Sequence, residues 1–280
     1  MEKILVPFNG LSTDDNTIHF ATYIADLTRS TLTGMFPSEA PLVREFTPLE
    51  SEFSQYSKLM ETDDLPQSIN DEQQLDENIY FFKEVCRKRG IRTELIRIKK
   101  ESAAEIIEES RFADLVILDR QSLLEEDAPT ALPLKAAREI FHASECPVMV
   151  SPPHFSEINE IVFAYDGSQS AVFAIKQFTY LFPELSETRS ILLQVNKPHE
   201  QGIKREGQIK EWLKKHYSQI GSQLLHGTVQ EELAACLHGK QHAVVVMGAY
   251  GRGNMSSFLH ESSAASVLRS TNLPLFVSHR

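Results

Sequence analysis

Lys3-Ile4-Leu5-Val6-Pro7-Phe8-Asn9-Gly10 returns in diverged form as Glu160-Ile161-Val162-Phe163-Ala164-Tyr165-Asp166-Gly167. Each is a short apolar run that stops at Asn or Asp and then Gly. Each leads into a stretch with apolar residues at helical spacing: Ile18, Ala21, Ile24 and Ala25 within 13–27, and Val172, Ile175, Phe178 and Leu181 within 168–182. Two more matches follow in the same order. Asp114-Leu115-Val116-Ile117-Leu118-Asp119 corresponds to Ala243-Val244-Val245-Val246-Met247-Gly248, and Cys146-Pro147-Val148-Met149-Val150 to Leu273-Pro274-Leu275-Phe276-Val277. Three matches in register identify a duplication.

Asn9 and Asp166 are 157 positions apart but Asp114 and Ala243 only 129, so the first copy carries about 28 extra residues between these points. The excess falls between Pro37 and about Asp71, a stretch of mixed Pro, Ser, Glu and aromatic residues that reads as a long excursion with one short helix. Ser151-Pro152-Pro153-His154 is the joint. The expected domains are 1–152, with the insertion near 38–71, and 158–280. In the second copy the pattern predicts strands over 160–165, 190–196, 223–226, 243–248 and 274–278. It predicts helices over 168–182, 203–220, 230–238 and 259–270. Val244-Val245-Val246 is apolar without alternation, as in strands covered on both faces. Strands alternating with helices predict an α/β fold of two tandem doubly wound parallel-sheet domains.

The totals narrow the function classes. A net charge of -11 argues against nucleic-acid binding, which needs a concentrated basic face. Cys86, Cys146 and Cys236 are too few and too scattered for a disulfide framework. The chain enters a strand-like run from Met1, without a basic leader, and no apolar stretch approaches the roughly 20 residues that cross a bilayer. The expectation is a soluble cytoplasmic protein with no membrane partner.

In a doubly wound sheet, ligands bind at the carboxyl ends of strands where strand order reverses. Asp166-Gly167-Ser168 stands at one such end and Gly248-Ala249-Tyr250-Gly251-Arg252-Gly253 at another. Glycines there let backbone amides approach phosphate oxygens, and Arg252 supplies a cation. A plain tight turn is the competing reading.

These residues, with the opening 161–168 and the closing 273–277, carry a resemblance to the universal stress protein family in its tandem form. It covers nearly all of both halves except the excursion. Nucleotide-binding members carry Gly, two residues, Gly, nine residues, then Gly and a hydroxyl residue. Gly248 and Gly251 match the first two glycines; Glu261 stands in place of the third, and Ser262 at the hydroxyl position. The resemblance implies a stress-response protein that binds an adenine nucleotide (ATP, ADP or AMP), with Mg²⁺ as an accompanying ion. It implies ligand-dependent contact with a protein partner and at most slow hydrolysis. Asp166 would contact the adenine side, Val195 would line the base pocket, and Ser262 and Ser263 would offer hydroxyls to phosphate. Helix capping is the other reading of these serines.

The first half has Asn9 for the Asp and, after its fourth strand, Asp119-Arg120-Gln121-Ser122 with no glycine, then Glu125-Glu126-Asp127. It is expected to bind no nucleotide in the family manner and to pair with the other half. Its Val148-Met149-Val150 would meet Leu275-Phe276-Val277, as last strands do in the family, in a monomer paired within itself or a homodimer. A nucleotide-free scaffold is the alternative, and a nucleotidyltransferase or flavoprotein-related enzyme a third reading. Cys236, His238, His242 and His226 form no complete metal set in the sequence, and histidines near a helix end suit its dipole. Trp212 is expected to pack its helix on the sheet, with Lys210, Lys214 and Lys215 on the exposed side.

Overall fold

The computed structural model describes residues 1–9, 15–38, 43–47, 67–99, 102–124, 132–249 and 263–278. The first half comprises β1 (Lys3–Pro7), α1 (Asp15–Thr28), β2 (Thr31–Ser38), β3 (Val43–Thr47), α2 (Gln67–Lys88), β4 (Thr93–Lys99), α3 (Ala103–Ser110), β5 (Leu115–Leu118), α4 (Gln121–Leu124), α5 (Leu134–Ala143) and β6 (Val148–Val150). The second comprises β7 (Glu160–Ala164), α6 (Gln169–Leu181), β8 (Arg189–Asn196), α7 (Glu206–Leu213), β9 (Ile220–His226), α8 (Val229–Leu237), β10 (Ala243–Gly248), α9 (Ser263–Ser270) and β11 (Leu275–Ser278).

The described strands form one sheet in the order β3-β4-β2-β1-β5-β6-β11-β10-β7-β8-β9. Without β3, the first half reads β4-β2-β1-β5-β6 and the second repeats that order outward from the seam. Strands are parallel within each repeat, and the seam is antiparallel: Leu275 opposes Val150, Phe276 opposes Met149 and Val277 opposes Val148. Met149 and Phe276 are equivalent residues of the repeat, so they lie on the pseudo-two-fold axis that relates the halves. All six residues are buried.

Helices cover both faces. α1, α2, α6 and α7 bury Ile18, Phe20, Phe82, Phe178 and Leu213 against one face. α3, α5, α8 and α9 bury Ile106, Phe141, Leu233 and Val267 against the other. The doubly wound tandem architecture expected from the repeat is therefore present. Phe178 of α6 lies 5.2 Å from Phe276, tying the helix layer to the seam.

Three expectations need correction. α7 ends at Leu213, not near 220, and β9 begins at Ile220, not 223. Tyr217 explains both: it is buried, and its hydroxyl lies 3.0 Å from that of Thr179, so the chain must leave the helix to place it. The insertion also holds an edge strand, because β3 runs antiparallel to β4 from Val43 opposite Arg97 to Thr47 opposite Thr93. The short helix expected earlier in that stretch falls partly on 48–66, outside the described residues. Ile209 and Leu213 are the buried residues of α7. Trp212 packs half-buried against the same core, as expected, 4.2 Å from the His216 ring and 6.1 Å from Tyr180 of α6.

Candidate functional site

β7 lies between β8 and β10. The loops after β7 and β10 therefore leave adjoining strand ends, the first toward α6 and the second toward α9 on the opposite face. This is the crevice where an open α/β sheet takes ligands.

Asp166, Gly167 and Ser168 each have a local structural reason. Gly167 takes φ +78°, which glycine adopts without Cβ strain. Asp166 Oδ1 accepts the Ser168 amide at 2.8 Å, and Ser168 Oγ accepts the Ala171 amide at 3.2 Å, capping α6. Asp166 is half-buried, and its Oδ2 makes no hydrogen bond among the described residues.

Gly248 ends β10 with its α-carbon against the first turn of α6. A Cβ there would stand 2.5 Å from the Ser170 carbonyl carbon and 2.7 Å from the Ala171 nitrogen. That contact is with backbone, so glycine is required for helix-on-strand packing whatever else it does. Ala249 continues the ladder, its amide donating to Ser278 O at 3.1 Å. Gly251, Arg252, Glu261 and Ser262 lie outside the described residues, and Ser263 is the first residue of α9.

The two faces of the crevice differ. On the α6–α7 face, connector 197–205 is tied down over the strand ends. Buried Asn196 donates from Nδ2 to Gly202 O at 2.8 Å, and buried Gln194 accepts the Lys204 amide on Oε1 at 3.1 Å. The Tyr165 hydroxyl donates to Lys204 O at 2.9 Å, and burial raises its pKa, keeping it a neutral donor. The Lys204 side chain lies over Gly167, its Cβ 2.7 Å from where a Cβ at that glycine would be. On the α8–α9 face, Ala164, Val195 and Leu225 are half-buried beside Met247 and form an apolar floor at the strand ends. The crevice is closed on one face and keeps partly exposed apolar surface on the other, and Val195 is on the latter. The signal for the clamp was in the sequence: Gln194 and Asn196 are polar at alternate positions of a strand that buries both.

The first half is built differently at the equivalent place. Phe8, which corresponds to Tyr165, stacks on Phe36 at 4.8 Å and meets Phe82 edge-on at 5.6 Å. Gly34 is required beside this plug, because a Cβ there would stand 2.8 Å from the Phe36 ring. After β5 a helical turn replaces the glycine loop. Asp119 Oδ2 accepts the Ser122 amide at 3.2 Å, and Ser122 Oγ accepts the Leu132 amide at 2.9 Å.

The other clusters disperse. His226 Nε2 is 3.1 Å from Glu200 O, His242 Nδ1 is 2.9 Å from Ser156 Oγ, and Cys236 Sγ points to Gln223 Oε1 at 3.8 Å. Lys215 pairs with Glu211 at 3.1 Å and Lys210 with Glu206, as expected of an exposed helix side. Among the described residues, no helix is long and apolar enough to cross a membrane.

No family model matches the chain. A universal stress protein of Synechocystis is 27% identical over 164 residues, 58% of this chain and 56% of that protein. The match thus spans little more than half the length of that curated relative. The crystal structure of a universal stress protein from Archaeoglobus fulgidus superposes with a TM-score of 0.66 at 17% identity, covering 99% of this chain and 96% of that one. A functionally unknown protein of Pseudomonas aeruginosa superposes with a TM-score of 0.60 at 13% identity, covering 100% and 92%. At these identities the superpositions speak to the fold. With the Synechocystis match, they bear out the resemblance to universal stress proteins.

Proposed function

We infer that this universal stress protein-like chain binds one adenine nucleotide, in its second half, and that ligand state alters contact with a protein partner. The observation that carries this reading is the contrast between equivalent strand ends. In the second half, Asp166 and the Gly248 turn adjoin an apolar floor of Ala164, Val195 and Leu225 that is still partly exposed. In the first half the equivalent Pro7 and Ile98 are buried, Phe8, Phe36 and Phe82 pack the opposite face, and a helical turn replaces the glycines.

The residues suit the adenosine end of such a ligand. The base would lie on the apolar floor, and Asp166 Oδ2 would accept from an adenine amino group or a ribose hydroxyl. Gly251, Arg252, Ser262 and Ser263 are proposed for the phosphates. Asp166 Oδ2 is also the oxygen that would help hold a Mg²⁺ bound with phosphates. Chemistry beyond slow hydrolysis is not proposed.

Glu261 favours a second reading, a nucleotide-free scaffold, since by the resemblance a carboxylate takes the place of the glycine that faces phosphate. Calorimetric titration with ATP, ADP and AMP separates the two. The first reading expects saturable heat with at least one of them, lost in Gly251→Glu and kept in Gln121→Glu. No heat with any nucleotide, from protein shown to be folded, supports the scaffold and ends the nucleotide reading.

A further inference from the structure

β4 and β9 hold the same place in the two repeats, each the strand farthest from the seam within its repeat. The two edges are treated in opposite ways. β3 runs antiparallel along the outer side of β4, and Leu95, Ile96 and Ile98 of β4 are buried. β9 ends the sheet among the described residues, and none of its seven residues is buried. The composition runs the other way. β4 carries Glu94, Arg97 and Lys99, whereas Ile220-Gly221-Ser222-Gln223-Leu224-Leu225-His226 has no Lys, Arg, Asp, Glu or Pro. Open edges are ordinarily guarded by such residues or by a bulge. β9 has no bulge, since it stays in register with β8 from Ser190 opposite Ile220 to Asn196 opposite His226.

The ladder bonds fix which groups face outward. The Ser190 amide donates to Gln219 O at 2.8 Å, and the Gly227 amide donates to Asn196 O at 3.0 Å. Pairing alternates along the strand, so Gly221, Gln223 and Leu225 turn their backbone groups to β8. Ile220, Ser222, Leu224 and His226 each turn an amide and a carbonyl to the open side. β3 shows what such an edge takes in this fold, an antiparallel strand. Two-fold pairing of one β9 with another uses all four outward residues in one register only. There Ile220 stands opposite His226, Ser222 opposite Leu224, and Gln223 opposite itself. No like charges meet, and Gln223 falls at a non-hydrogen-bonded pair, where side chains come closest and the two amides can bond each other. The seam strands are already paired within the chain, so association between copies needs a different surface.

We propose that two copies of this chain associate edge to edge through β9, antiparallel and in the register centred on Gln223, so that their sheets become one. The self-complementary register favours a second copy over a strand of another protein. One strand per copy buries less than the roughly 1,600 Å² of a standard interface, so the dimer is concentration-dependent. It does not rest on the nucleotide reading and forms without a ligand.

The test is sedimentation velocity of the full chain, stripped of nucleotide and kept reduced, from micromolar to near-millimolar concentration. The mass of the parent protein rises from 31.7 kDa toward twice that value. Ser222→Pro stays monomeric at every concentration. The amide it removes faces outward, so the ladder to β8 is left intact. Gln223→Lys and Gln223→Glu each change an exposed side chain and set like charges opposite each other, so each alone stays monomeric. Their equimolar mixture restores the dimer, which also shows that both variants are folded. A parent that stays monomeric throughout overturns the proposal and leaves the edge to a strand of another protein. A dimer that survives Ser222→Pro overturns it as well, because it would lie on another surface. Loss of the dimer in both charge variants with no recovery on mixing overturns it too, since the two positions 223 would then not meet.

Discussion

Gly248 shows how a ligand-motif residue can be required first by packing. Its missing Cβ lets the Ser170–Ala171 backbone of α6 approach within 2.5–2.7 Å of where that carbon would be. Because the obstacle is main chain, Gly248→Ala must push the helix away. It is expected to cost about 1–3 kcal/mol in urea unfolding, the range for overpacking. A cost below about 0.5 kcal/mol would contradict the contact. Ionisable residues set a second expectation. Burial pushes the Cys86 and Cys146 thiols from 9.0 up to about 12, and Tyr217 from 10.0 to about 12. Above pH 9 the unfolded thiols lose protons that the folded ones keep. The unfolded state then binds fewer protons, and stability falls as pH rises from 9 toward 12. Urea midpoints across that window check the sign, and Cys86→Ala/Cys146→Ala should flatten the fall. A parent curve flat to pH 11 would contradict it.

At the scale of elements, connector 197–205 is the part least like a passive loop. Gln194 and Asn196 spend buried side chains on its backbone, and the Tyr165 hydroxyl joins them. Asn196→Ala removes the shorter of two side-chain donors to the Gly202 carbonyl, leaving Gln194 Nε2 at 3.4 Å, and is expected to cost about 1 kcal/mol. It should also speed tryptic cleavage after Lys204 or Arg205 several-fold. Unchanged cleavage would mean that the connector is held by other means. Long periodic elements such as α6 and the apolar β10 were legible in the sequence, because period and burial agree there. The start of β9 was not: Gly221, Ser222 and Gln223 are exposed on an edge strand, so no apolar pattern marks them. β3 was missed for a related reason, since Val43–Thr47 pairs along one side only, at the other edge.

At the scale of the molecule, duplication explains both the fold and its asymmetry. The repeat in the sequence locates the seam, since equivalent residues Met149 and Phe276 meet on the axis. It locates the crevice as well, because both copies place Asn9 or Asp166 at the end of the first strand. What the repeat could not convey is how each crevice is filled. That depends on Phe36 and Phe82 in one half and on Gln194 and Asn196 in the other, which meet the strand ends only in three dimensions. The account's central claim is that two like crevices yield a single nucleotide site. Calorimetric stoichiometry with the tightest-binding of ATP, ADP and AMP tests it most directly. One nucleotide per chain is the predicted result; two per chain, or none, would contradict it.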